Sequence, residues 1–242
     1  MSVLTQQPAI NVSQPPLPRP STLVLASYQP EQPSTSGVAF SPNYQGNRAL
    51  QRNAPANIPD NENCSLWLTN LPVDTTHHEL LGALRGTGGR VYAVVINLPN
   101  PMLGQTRAAA KVVFFERQAA ATVHQRANEF GGGLRVRGHE VRVGWNRVKS
   151  AAVEHPYRSR VLLIVGEPSF VNADALTAFF ESKFVFQMDE IVTHSVGVPG
   201  WLPSAVEYRF GSFRCQAESA RIALLREKGH LCKSVFVRDP CQ

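Results

Sequence analysis

The chain has 242 residues, 43% of them hydrophobic, which is material for one large core or two small ones of roughly 80–100 residues each. The net charge of +6 favours an acidic partner. No apolar run approaches the ~20 residues of a membrane span, and the amino terminus lacks a charged region followed by an apolar block, so neither membrane insertion nor secretion is expected.

The excess positive charge is local. Lys+Arg against Asp+Glu is 3 to 2 over residues 1–60, 11 to 6 over 61–150 and 10 to 10 over 151–242. Four cysteines, Cys64, Cys215, Cys232 and Cys241, show no C-x-x-C spacing, which argues against both a zinc site and a disulfide framework. A reducing intracellular compartment, nucleus or cytoplasm, is expected.

Residues 1–61 are rich in Pro, Gln, Ser and Asn, as in "QPPLPRP" (14–20) and "YQPEQPSTSG" (28–37). Such a segment cannot bury enough apolar surface to offset its ordering entropy, and a disordered tail or spacer is predicted. Hydrophobic periods begin at Cys64 and run strand 65–71, helix 77–86, strand 90–98, strand 108–115, helix 117–130, strand 139–145. Thr76 and Glu79 form an S/T-x-x-E capping box at the first helix. The pattern then repeats: strand 160–166, helix 172–184, strands 189–196 and 204–210, helix 216–227, strand 233–239. Leu66 and Phe114 are 48 residues apart, as are Leu162 and Phe210, and each first strand ends in a proline, Pro72 or Pro168. The expected fold class is α+β: two ferredoxin-like βαββαβ domains, each a four-stranded antiparallel sheet with two helices on one face. The expected boundaries are a tail 1–61, a first domain 62–148, a linker 149–159 and a second domain 160–242.

"LWLTNL" (66–71) and "RAAAKVVF" (107–114) occupy the first and third strands of the first unit. In these segments the sequence resembles the RNA recognition motif family, which carries an aliphatic–aromatic–aliphatic–x–Asn–Leu hexamer on one central strand and a basic, aromatic-rich octamer on the other. The hexamer matches at every fixed place, with Trp67 as the aromatic. Strand alternation turns Leu66 and Leu68 inward and Trp67 outward, where a base can stack on it for roughly 1–3 kcal/mol. The octamer departs from the family pattern: its two outward aromatic places hold Ala109 and Lys111. If each absent stacking contact costs about 1 kcal/mol, affinity falls by roughly tenfold per position, so binding should be weak and salt-sensitive.

The resemblance implies single-stranded RNA as partner, in post-transcriptional processing or regulation. Trp67, Thr69 and Asn97 should lie on the outward face, with Arg107, Lys111, Arg142 and Arg147 toward phosphates. Arg135, Arg137 and Lys149 join Arg142 and Arg147 on the last hairpin and the exit from the domain, where RNA phosphates could be held; for Arg135 and Arg137 an ordinary solvated surface explains the charge equally well. The second unit places Leu163, Ala205 and Glu207 at the aromatic sites and carries no net charge, so it should be a docking or supporting module. A protein partner could use that unit or the tail. The rival reading is a protein–protein interaction module in which both sheet faces are docking surfaces. The seven histidines show no motif spacing with a nucleophile or carboxylate; neither an enzyme nor a cofactor is expected.

Overall fold

The computed structural model describes residues 55–129, 133–194 and 203–242. The expected tail up to residue 54, Phe130 at the end of the expected second helix, Gly131 and Gly132, and Ser195 and Val196 of the expected strand 189–196 lie outside the described residues.

The first unit comprises β1 (Ser65–Leu71), α1 (His77–Ala83), β2 (Val91–Asn97), β3 (Ala108–Phe114), α2 (Arg117–Asn128), β4 (Leu134–Val136) and β5 (His139–Trp145). Its strands order as β2-β3-β1-β5-β4, antiparallel between neighbours. The second unit comprises β6 (Val161–Gly166), α3 (Ala173–Glu181), β7 (Met188–His194), β8 (Ser204–Phe210), α4 (Glu218–Glu227) and β9 (Cys232–Phe236), ordered β7-β8-β6-β9. Both are βαββαβ units. The short hairpin strand β4, three residues long, is an addition that sequence periodicity cannot register.

Alternation explains the cores. Leu66, Leu68, Ala110 and Val112 are fully buried and pack with Leu80 and Leu81 of α1 and Val123 of α2. Leu162, Ile164, Tyr208 and Phe210 do the same in the second unit, where Phe180 of α3 meets Tyr208 and Phe210 edge-on at 5.0 and 5.5 Å. Each fully buried side chain of this size contributes about 1.5–3 kcal/mol. The capping box forms as predicted: Thr76 Oγ1 accepts from Glu79 N at 3.2 Å, and Glu79 Oε2 accepts from Thr76 N at 2.9 Å.

The internal repeat extends to an irregularity. Register shifts once in β2 between Val91 and Ala93 and once in β7 between Met188 and Glu190, at matching places in the two units. A bulge leaves one residue outside the ladder and re-aims it. Here those residues are Tyr92 and Asp189, and both turn into the junction between the units. Tyr92 packs against Phe115 and against Phe213 of the second unit, with ring centroids 5.2 and 5.9 Å apart. Asp189 is buried, and its carboxylate oxygens meet Arg160 at 2.8 Å and, from the first unit, His78 at 3.2 Å and Arg85 at 3.4 Å.

The second unit also closes the open edge of the first sheet. Val91 N donates to Asp239 Oδ2 and Val94 N to Ser212 Oγ, both at 2.9 Å, so edge amides that would otherwise await another strand are satisfied. Asp239 Oδ1 takes a 3.0 Å ion pair from Arg160, whose side chain is fully buried. Beyond it, the N–H groups of Gly88 and Gly89 donate to Cys241 O, and Gly86 N to Pro240 O. Cys241 thereby belongs to the first unit's core, while Phe115 of the first unit belongs to the second's. The expected helix 77–86 ends early because residues 84–89 curl to receive this segment, and the expected strand 233–239 stops at Phe236 because Asp239 is needed at Val91. Burial pushes the Cys241 thiol up to about 12, so it remains a neutral core group.

Residues 55–61, at the end of the segment expected to lack structure, run beside the exit from β5. Ala56 N donates to Lys149 O at 3.1 Å, and Lys149 Nζ reaches Asp60 at 2.8 Å and Ile58 O at 2.7 Å.

Candidate nucleic-acid interface

The outward faces of the two sheets compare row by row. In the first, Val95 pairs with Lys111, Lys111 with Trp67 and Trp67 with Gly144. The corresponding row of the second sheet is Val192, Glu207, Leu163 and Val235. An aromatic platform flanked by a cation and a gap is thus replaced by an aliphatic, an anion and a branched side chain. Glu207 is further engaged by Arg209 and, at 3.5 Å, by His194.

Trp67 is half-buried, unlike its fully buried neighbours Leu66 and Leu68. A Cβ built on Gly144 meets nothing within 4 Å, so open space adjoins the indole on that side. Directly opposed residues on antiparallel strands hold their Cβ atoms about 4.5–5.5 Å apart, which places the Lys111 stem beside the indole on the other side. The next row holds Asn97 beside Ala109, and Thr69 beside Arg142. Asn97 and Arg142 are exposed and Thr69 half-buried.

The remaining expected contacts are spread out. Arg107 is exposed just before β3, near the Leu71 end of β1, because Ala108 pairs with Leu71. Arg147 is exposed near the Ser65 end, where Asn146 N donates to Ser65 O. Seven strand residues separate those ends by roughly 20 Å, so the two arginines cannot meet the same phosphate. The hairpin arginines engage other groups: Arg137 pairs with Asp74 and, at 3.4 Å, with Glu79, while Arg135 donates to Gly138 O at 3.2 Å. Trp145 is occupied as well, with His124 stacked at 4.9 Å and the Arg117 guanidinium 3.7 Å above the ring.

Sequence reasoning passed over two participants. Gly144 was legible as a glycine inside the strand pattern "HEVRVGW", a mark of close approach. Arg214, on the turn Phe213–Ala217 before α4, carried no such signal because only packing between the units brings it near. Burial together with the like charge of Arg214 pushes the Lys111 amine down to about 8. An ordinary lysine keeps its proton past pH 10, whereas Lys111 loses most of its charge between pH 7 and 9. An anion held by Lys111 should therefore bind less tightly as pH rises from about 7 to 8.5, and Lys111→Met should remove that dependence; affinity measured across this range checks it.

Among the described residues no group of three or more His, Cys, Asp or Glu side chains could hold a metal ion, and no helix is long and apolar enough to cross a membrane.

Two βαββαβ units in tandem, the first with an outward tryptophan on its first strand, have the architecture of paired RNA recognition motifs. No family model matches the chain, and no curated protein does. Solved structures that resemble it include the two RNA recognition domains of Sex-lethal from Drosophila melanogaster, at 18% identity over 72% of this chain and 100% of that one, TM-score 0.26. A Sex-lethal protein/RNA complex gives 21% identity over 67% and 89%, TM-score 0.28. The first two RRM domains of the yeast poly(U) binding protein Pub1 give 12% identity over 72% and 99%, TM-score 0.28. The fold assignment rests on the strand order and register described above, not on these superpositions.

Proposed function

We propose that the protein binds single-stranded RNA on the outward face of its first sheet, in post-transcriptional processing or regulation. The observation that carries this reading is the row Lys111–Trp67–Gly144, in which a half-buried indole lies between a lysine and an open gap. A base stacks on Trp67, Lys111 and Arg142 take phosphates, and Thr69 and Asn97 line the adjoining row. Arg107 and Arg147 guide the strand at opposite ends of β1. With one aromatic platform and several separated cations, binding draws more on charge than on base identity.

Titration of the full chain with random-sequence single-stranded RNA tests the reading. The logarithm of the binding constant should fall linearly with the logarithm of salt, by about 0.7 per phosphate neutralised. A flat response would speak for the sheet as a protein-docking surface instead.

Gly144→Val supplies a sharper check, because it imports the residue that the second sheet carries at the equivalent place, Val235. The site has room for a Cβ, so the fold should be kept. The gap beside Trp67 would be filled, and RNA affinity should drop by about fivefold or more, equivalent to about 1 kcal/mol. Thermal unfolding run alongside the binding assay separates a blocked site from a damaged sheet.

The second sheet supports a different role. Its row Val192–Glu207–Leu163–Val235 sets one anion among three apolar side chains, and Val235 is 53% exposed, which suits a protein partner rather than a polyanion. Leu163→Ala should leave RNA affinity unchanged.

A further inference from the structure

The junction brings a turn of the second unit, with Arg214 on it, to the open edge of the first sheet. Ser212 is tied to Val94 at both ends: its Oγ accepts from Val94 N at 2.9 Å and donates to Val94 O at 3.4 Å. Val94 adjoins Val95, the cross-strand neighbour of Lys111. Phe213 is buried with its ring 5.9 Å from Tyr92 and 5.2 Å from Phe115, which fixes the start of the turn against the first unit. Buried Gln216 fixes its far side by accepting from Ser212 N at 3.2 Å and Gln187 N at 3.3 Å.

Between these anchors the backbone leaves the helical path. Arg214 is extended (φ −60°, ψ 127°), and Cys215 is left-handed (φ +60°), a conformation that residues other than glycine adopt at a cost. The surrounding contacts hold that strained turn in place. They leave Arg214 half-buried within electrostatic reach of Lys111. Two cations contributed by different units and lying within each other's field repel one another, and an anion seated between them converts the repulsion into attraction.

We propose that Lys111 and Arg214 together grip one phosphate of the RNA strand whose base stacks on Trp67, so that the second unit completes the first unit's binding site. The proposal rests on the RNA-binding reading of that face. It changes the expected division of labour: the second sheet stays apart from the RNA, while the turn before α4 joins it. It also gives a purpose to the polar and aromatic contacts across the junction, because a phosphate site shared by two units requires them to be held in one arrangement.

The test uses the full chain and random-sequence single-stranded RNA of about a dozen nucleotides, with affinity followed against salt. Arg214→Gln should weaken binding by about three- to tenfold and flatten the salt slope by about 0.7, the value of one phosphate contact. Arg214→Lys, which keeps the charge, should retain the slope and serves as the deciding variant if Arg214→Gln lowers the thermal midpoint. Lys111→Gln combined with Arg214→Gln should weaken binding little more than either change alone, since both remove the same contact. An unchanged slope in Arg214→Gln, or effects of the two changes that multiply independently, would overturn the shared phosphate. Binding that depends on Trp67 but not on Arg214 removes this proposal alone; binding indifferent to Trp67 removes the RNA-binding reading and this proposal with it.

Discussion

Arg160→Met should destabilise the whole chain by about 3–5 kcal/mol, and the loss should appear in the first unit although Arg160 opens the second. The Arg160 guanidinium is fully buried against Asp189 at 2.8 Å and Asp239 at 3.0 Å, and it also donates to Phe210 O at 2.9 Å. Burial by itself would lower its pKa, but the carboxylates of Asp239 and Asp189 outweigh that and hold it above the ordinary arginine value. Without the arginine, the buried carboxylates of Asp189 and Asp239 lose the cation between them, which costs far more than the lost packing. Both carboxylates also serve the first unit, Asp239 at Val91 N and Asp189 at His78 and Arg85. Urea unfolding followed by tryptophan fluorescence in a Trp201→Phe background reports on Trp67 and Trp145, both in the first unit. The midpoint should move down with Arg160→Met. An unchanged midpoint would mean that the units fold independently.

Trp67→Ala should reduce RNA affinity by roughly 5- to 150-fold, the equivalent of about 1–3 kcal/mol for one stacked base. Trp67→Phe keeps a smaller platform and should lose only part of this. The neighbouring contacts give no substitute: the other outward places on β3 hold Ala109 and Lys111, and the second sheet has Leu163 where Trp67 stands. Lys111, Arg142 and Arg107 remain in the variant, so the salt slope should be nearly unchanged while affinity falls. That separation of stacking from charge distinguishes a binding platform from a general loss of structure, and intact thermal unfolding of the variant confirms it.

Much of this was written in local sequence. Alternation over 66–71 placed Trp67 outward between two buried leucines, the capping box fixed the start of α1, and the 48-residue spacing announced two equivalent units whose registers agree down to a shared bulge. The junction was not written there, because it depends on contacts between residues far apart in sequence. In the sequence, Asp189, Asp239 and Arg160 register only through the balance of ten cations and ten acids over 151–242, yet the three form a buried cluster. Tyr92 and Phe115 read as strand residues of the first unit, but their rings face Phe213 of the second. Lys111 was expected as a simple outward cation; its depressed pKa comes from burial and from Arg214, more than a hundred positions away.

These couplings decide how the central claim is best tested. A fragment limited to the first unit would lack Asp239 at Val91, Ser212 at Val94 and Cys241 in its core, so the full chain is the proper material. The most direct measurement is the affinity of the wild-type chain and of Trp67→Ala for single-stranded RNA across a salt series. A salt-dependent affinity that drops at least fivefold on removing the indole, about 1 kcal/mol, is the result expected. Equal affinities for the two proteins at every salt concentration would contradict it.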